Sequence, residues 1–196
     1  VPSLDADVAT AGAIDIDNLA DVAAFVNNLS TPVGSIAYDQ EGNFGATITR
    51  VVTGNGDVTI TNTGGTGADI AIFSDVGLPG VEADVVDDTV SITASGAITA
   101  TDGDADAEVV GATVTLQAGD GGVGTEGANA PGNSFDINAT VAFNADTGRG
   151  DDGNITVDDI VGDLPIGLVT ADAGTVTLTS VGAIDDATVD EVTDFV

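Results

Sequence analysis

The chain has 196 residues and sets 33 acidic side chains against two arginines, a net charge of −31. That surface excludes a nucleic-acid partner, because phosphate binding needs cationic side chains, and it disfavours anionic membranes. It also has no Cys, His or Lys, so the usual general bases, thiol nucleophiles and Schiff-base amines are missing.

Residues 1–30 stand apart from the rest. Asn18 is placed to cap a short helix over LADVAAFVNNL (19–29), with Leu19, Val22, Val26 and Leu29 on one face. This segment is read as a short helix or an inter-subunit element, and 31–196 as the repetitive region. From there on, apolar residues alternate with polar ones. Val58 and Ile60 form the first such pair, followed by Val90 and Ile92. Over 112–118, Ala112, Val114, Leu116 and Ala118 fall on one face, with Thr113, Thr115 and Gln117 on the other. Ala139, Val141 and Phe143 continue the pattern, then Ile155 and Val157, then Val176 and Leu178. Period-two alternation with Thr outward is the signature of a half-buried strand.

Turn clusters separate these strands: TGNGD (53–57), NTGGTGAD (62–69), TDGDADAE (101–108), AGDGGVGTEG (118–127) and NADTGRGDDGN (144–154). Of the 33 acids, 28 are Asp and 5 are Glu, which suits turns better than charged helices. Apolar residues make up 42% of the chain, too many for disorder despite the charge.

The spacing of the strands decides between architectures. Taking Ile60, Ile92, Leu116, Val141, Val157 and Leu178 as strand centres gives steps of 32, 24, 25, 16 and 21. These bracket the roughly 20-to-30-residue coil of a solenoid and exceed the about 8–12 residues of tight hairpins. VSITASGAI (90–98) and VTLTSVGAI (176–184) are identical at five of nine positions. The triplet Gly-Ala-Ile occurs at 12–14, 96–98 and 182–184, steps of 84 and 86. VGAIDDATVDEVTDF (181–195) aligns with AGAIDIDNLADVAAF (11–25) at an offset of 170. A tandem unit of about 85 residues holding several coils is the expectation.

The stretch VSITASGAITATDGDADAEVVGATVTLQAGDGGVGTEGANA (90–130) resembles the repeats of bacterial filamentous-haemagglutinin-like surface proteins. Those run as a Thr-rich strand, a Gly-Ala-Ile turn, an Asp/Gly/Ala spacer, a second Thr-Val strand and a Gly-rich turn. The resemblance implies a right-handed parallel β-helix and a role as an adhesin stalk or extracellular fibre. It covers about forty residues well and 150–190 loosely, and it does not extend to the first fifty.

Several short motifs bear on chemistry. Asp102, Asp104, Asp106 and Glu108 space carboxylates two residues apart, a pattern able to wrap Ca²⁺; a solvated acidic turn is the plain alternative. GDDGNITVDD (150–159) echoes half of an EF-hand loop but has Gly148 and Gly150 at the first ligand positions. Arg149-Gly150-Asp151 spells a receptor tripeptide, and Asn28, Asn138 and Asn154 open glycosylation sequons; a Gly-, Asp- and Thr-rich chain produces both kinds of match by chance. No apolar run reaches the roughly 20 residues of a membrane helix, and no signal peptide opens the chain, which fits a mature secreted product or a segment of something longer.

The sequence therefore predicts an all-β chain, a parallel β-helix (β-solenoid). An antiparallel β-sandwich of a pilus-like subunit, assembled by donor-strand exchange, is the alternative. The expected function is that of a non-enzymatic extracellular or cell-surface structural protein forming a fibre, stalk or coat by end-to-end self-association. A polysaccharide-active β-helix is a further alternative. No catalytic residue and no required cofactor are assigned, Ca²⁺ is admitted at the acidic turn, and the partner is a further copy of the chain, with a surface glycan or receptor unspecified. A saline or calcium-containing setting suits a charge of −31.

Overall fold

A computed structural model describes residues 3–19, 22–65, 67–75, 77–101, 106–125, 134–148 and 153–187. They contain eighteen strands and no helix. In chain order the strands are β1 (Ser3–Asp7), β2 (Ile14–Asn18), β3 (Ala24–Thr31), β4 (Ile36–Gln40), β5 (Ala46–Ile48), β6 (Val51–Thr53), β7 (Val58–Asn62), β8 (Ile70–Ile72) and β9 (Val81–Glu82). There follow β10 (Thr89–Ala94), β11 (Ile98–Ala100), β12 (Val109–Gln117), β13 (Val123–Thr125), β14 (Phe135–Asp146), β15 (Ile155–Asp159), β16 (Leu164–Thr170), β17 (Val176–Ser180) and β18 (Ile184–Asp186).

Every ladder between these strands is parallel, and each joins a strand to one a coil later. The fold is a parallel β-solenoid of eight coils with three faces. On the first face Ala24, Ala46, Ile70, Ile98, Val123, Ile155 and Val176 stack one above another. On the second the inward row is Ala6, Leu29, Val51, Val81, Val109 and Ile137, then Asp159 and Ser180. On the third, Ile14, Ile36, Val58, Val90, Val114, Phe143 and Ile166 form one inward row. The sandwich alternative is overturned: sandwich strands pair antiparallel, whereas here short corners turn the chain aside without reversing it.

Alternation builds the core. In β4, β7 and β10 alternate residues are buried (Ile36, Tyr38, Gln40; Val58, Ile60, Asn62; Val90, Ile92, Ala94), and Thr or Ser fills most positions between them in β7 and β10. Parallel stacking lays like upon like, so the interior is a set of narrow apolar columns, and each coil buries its face only against its neighbours. At the corner before the third face the backbones stack too closely for a side chain. A Cβ on Gly34 (φ 127°) would come 2.5 Å from the Gly12 carbonyl oxygen, and one on Gly56 (φ 138°) 2.6 Å from the Gly34 carbonyl carbon.

Three expectations change. The helix over 19–29 is absent: 24–31 is β3, which pairs with β1, β5 and β6. Its buried residues are Ala24, Val26, Leu29 and Thr31, two period-two pairs separated by a corner at Asn27-Asn28, whereas Leu19 and Val22 are exposed. A corner between two strand pairs leaves the same three-residue gap as a helical turn, which is why the helical wheel fitted.

Secondly, Val141 does not face inward; it is 52% exposed while Ala139 and Phe143 are buried. Gly111 pairs with Ala139 but Thr113 with Ala142, so β14 carries one residue more than β12 and bulges outward there. Thirdly, the unit of about 85 residues is not the structural repeat. Coils on the third face are 20 to 32 residues apart. Ile14 and Ile184 open strands on the third face, but Ile98 opens β11 on the first. The recurring phrase encodes a strand, a corner and a strand, and such a corner fits more than one edge of the prism.

Candidate functional site at the ends of the stack

The two ends of the solenoid are its most distinctive surfaces. Among the described residues, β1 and β2 pair on one side, with β3 and β4, and β17 and β18 pair on one side, with β15 and β16. At the first end Leu4, Ala6 and Ile16 are only partly buried, and a cleft of about 170 Å³ opens between Leu4, Ile16, Asn18, Ala24, Phe25 and Tyr38. At the other, Val176 and Leu178 are partly buried and Ile184 is 47% exposed.

Both ends carry the same sign of charge. Asp5, Asp7, Asp15 and Asp17 point outward from the first coil, and Asp185 and Asp186 are exposed on the last. Asp5 accepts a hydrogen bond from Asn27 Nδ2 and Asp7 one from Ser30 Oγ, both at 2.6 Å, which ties the first coil to the second.

A short polar column runs inside the apolar stack. Asn18, Gln40 and Asn62 lie in register on the third face. Asn18 Nδ2 donates to Gln40 Oε1 at 2.6 Å, Tyr38 Oη donates to the same oxygen at 2.8 Å, and Asn62 Nδ2 donates to the Phe44 and Asp69 carbonyls at 2.9 Å. The Nδ2 groups of Asn18 and Asn62 are thus satisfied by a stacked neighbour or by the corner backbone, whereas the buried Asn62 Oδ1 has no hydrogen-bond partner. Burial raises the Tyr38 phenol pKa above its usual value, against the hydrogen bond from Asn18. Alternation alone did not separate these positions from apolar ones; the run Asn18, Gln40, Asn62 becomes visible only once the coil register is known.

Of the four acids read as a Ca²⁺ loop, Asp102 and Asp104 lie outside the described residues. Asp106 Oδ2 accepts the Gly77 amide at 2.6 Å. Glu108 is buried, accepting from the Asp136 amide and from Ser74 Oγ at 3.4 Å, while Ser134 Oγ donates to Asp136. Asp106 and Glu108 thus serve different neighbours. Among the described residues no three acids converge where a cation could sit. The Arg149-Gly150-Asp151 tripeptide also lies outside the described residues. Of the EF-hand echo, Asn154 Oδ1 caps the Thr175 amide at 2.8 Å, and Asp159 enters the core. Among the described residues no helix is long and apolar enough to cross a membrane.

Comparison with protein families, with curated proteins and with solved structures finds no match to this chain.

Proposed function

We propose that this chain is a structural protein of an extracellular fibre, stalk or surface coat, in which copies associate end to end. The observation that carries the reading is the architecture: coils stacked in parallel register, each burying its inward rows only against its neighbours, with β1, β2, β17 and β18 paired on one side among the described residues. A parallel strand edge is a template for another strand, and a solenoid extends by adding coils without changing its cross-section. The likeness of 90–130 to haemagglutinin-type repeats supports the same role. A chain without His, Cys or Lys suits mechanical work better than catalysis.

Acidic ends make the association conditional. Asp15 and Asp17 on one end would meet Asp185 and Asp186 on the other, a repulsion that salt or Ca²⁺ relieves. Negative-stain imaging at 0.05 M and 1 M NaCl, and with Ca²⁺ before and after EDTA, tests this. Filaments of uniform width that lengthen with salt or Ca²⁺ are expected. Discrete single particles in every buffer would remove the proposal.

A further inference from the structure

Three neighbouring strands of the third face, β7, β10 and β12, turn Thr and Ser outward between their buried residues. Their ladders on this face run without a register shift. Thr59, Ser91 and Thr115 therefore form one row across the strands, and Thr61, Thr93 and Gln117 a second. Thr89 and Thr113 begin a third. Successive outward residues on a strand lie about 6.6 Å apart and adjacent strands about 4.8 Å, so these side chains occupy a rectangular mesh.

Two observations separate the mesh from the other hydroxyls of the molecule. Elsewhere the chain uses them itself: Thr31 Oγ1 donates to the Gly12 carbonyl at 2.9 Å, Thr53 Oγ1 to the Gly34 carbonyl at 2.8 Å, and Ser30 Oγ to Asp7 at 2.6 Å. In the mesh Thr115 receives Asn144 Nδ2 at 3.4 Å, and the hydroxyls of the other Thr and Ser bond to no described residue. The second observation is charge. None of the 33 acids stands in the mesh, although the row of Thr61 passes through Asp17 and Asp39 before it and Asp146 after Gln117. The other faces carry no such array: the outward row of the first runs Phe25, Thr47, Ala71, Thr99, Gly124, and that of the second Val52, Glu82, Val110, Asn138.

A rigid, neutral mesh of hydroxyls and methyls fits a solid of the same spacing. Water oxygens on a prism face of hexagonal ice form a rectangular mesh of nearly these dimensions. Each Thr hydroxyl donates one hydrogen bond and accepts two, so it can stand in for a lattice water, while its methyl is surrounded by water without competing for hydrogen bonds. A carboxylate in the same place would hold its own hydration shell too strongly to yield it to the lattice. The stacked coils fix the mesh before contact, which keeps the entropic cost of ordering it small. The mesh carries no aromatic side chain on which a sugar ring could stack.

We propose that the outward face of β7, β10 and β12 is an ice-binding surface, which adsorbs to ice through its Thr and Ser mesh and stops crystal growth where it lies. The surface is complete within one copy of the chain and does not depend on fibre assembly.

Ice growth in a nanolitre osmometer, with the intact chain in dilute neutral buffer, tests this. Faceted crystals are expected, with a gap between the melting and growth temperatures that widens with protein concentration. Thr93→Tyr, at the centre of the mesh, should abolish the gap, and Thr47→Tyr, outward on the first face, should keep it. Should Thr93→Tyr fail to fold by circular dichroism, Thr93→Lys, which puts a charge in the mesh, replaces it. Rounded crystals and no gap with the intact chain overturn the proposal whatever the variants do. So does a gap that the Thr93 variant keeps, or that Thr47→Tyr removes equally. Retention on microcrystalline cellulose without any effect on ice would assign the mesh to a polysaccharide and overturn it as well.

Discussion

Single residues in this molecule are constrained chiefly by the copy of themselves one coil away. Gly34 is the sharpest case, because its Cβ would enter the backbone at Gly12 and its φ of 127° is foreign to other residues. Gly34→Ala should therefore cost about 1–3 kcal/mol or more, read as a lower urea midpoint with unchanged slope. Asp159 is constrained by polarity instead. Its folded pKa of about 6 exceeds the unfolded 3.8, so the folded chain holds the extra proton. The stability this contributes is complete below about 3.8 and is lost as pH rises through about 6. Asp159→Val, which would continue the apolar row, should raise the melting temperature at pH 7 and do so much less at pH 4. An equal gain at both would mean the carboxylate is not strained at neutral pH. Neither residue could be singled out beforehand. One Gly of 27, or one Asp of 28, looks like another until the stacking register assigns its neighbours.

At the scale of elements, the strands were largely legible and their faces partly so. Val58/Ile60, Val90/Ile92 and Val114/Leu116 alternate in sequence and are buried in the structure, because a pleated strand presents every second residue to one side. The bulge in β14 escaped notice, since one extra residue leaves no local mark when every side chain nearby is small or β-branched. It yields a discriminating pair of substitutions. Phe143→Ala should cost about 3–5 kcal/mol, as for a fully buried aromatic, whereas Val141→Ser should be close to neutral. Comparable losses at both positions in denaturant melts would mean that β14 does not bulge. β3 teaches the complementary lesson. A corner between two strand pairs imitates helical spacing, and only pairing with β1, β5 and β6 distinguishes them.

For the whole molecule the governing quantity is charge. A net charge of −31 on 196 residues opposes compaction, and the stack brings like charges into line, as with Asp17 beside Asp39. Raising NaCl from 0.1 M to 1 M shortens the screening length from about 10 Å to about 3 Å, and the thermal midpoint should rise across that range. A midpoint that falls, or stays flat, would show that paired carboxylates are not the dominant strain.

The sequence by itself determined that the chain is all-β, that its strands are short, and that they recur at coil spacing. Those properties follow from alternation and turn chemistry within a few residues. Which corner each Gly-Ala-Ile occupies, where β14 bulges, why Asn18 meets Gln40, and that Asp159 points into the core were decided only by tertiary structure. Each depends on which residue lies one coil away, and coils of 20 to 32 residues vary too much for counting to reveal it.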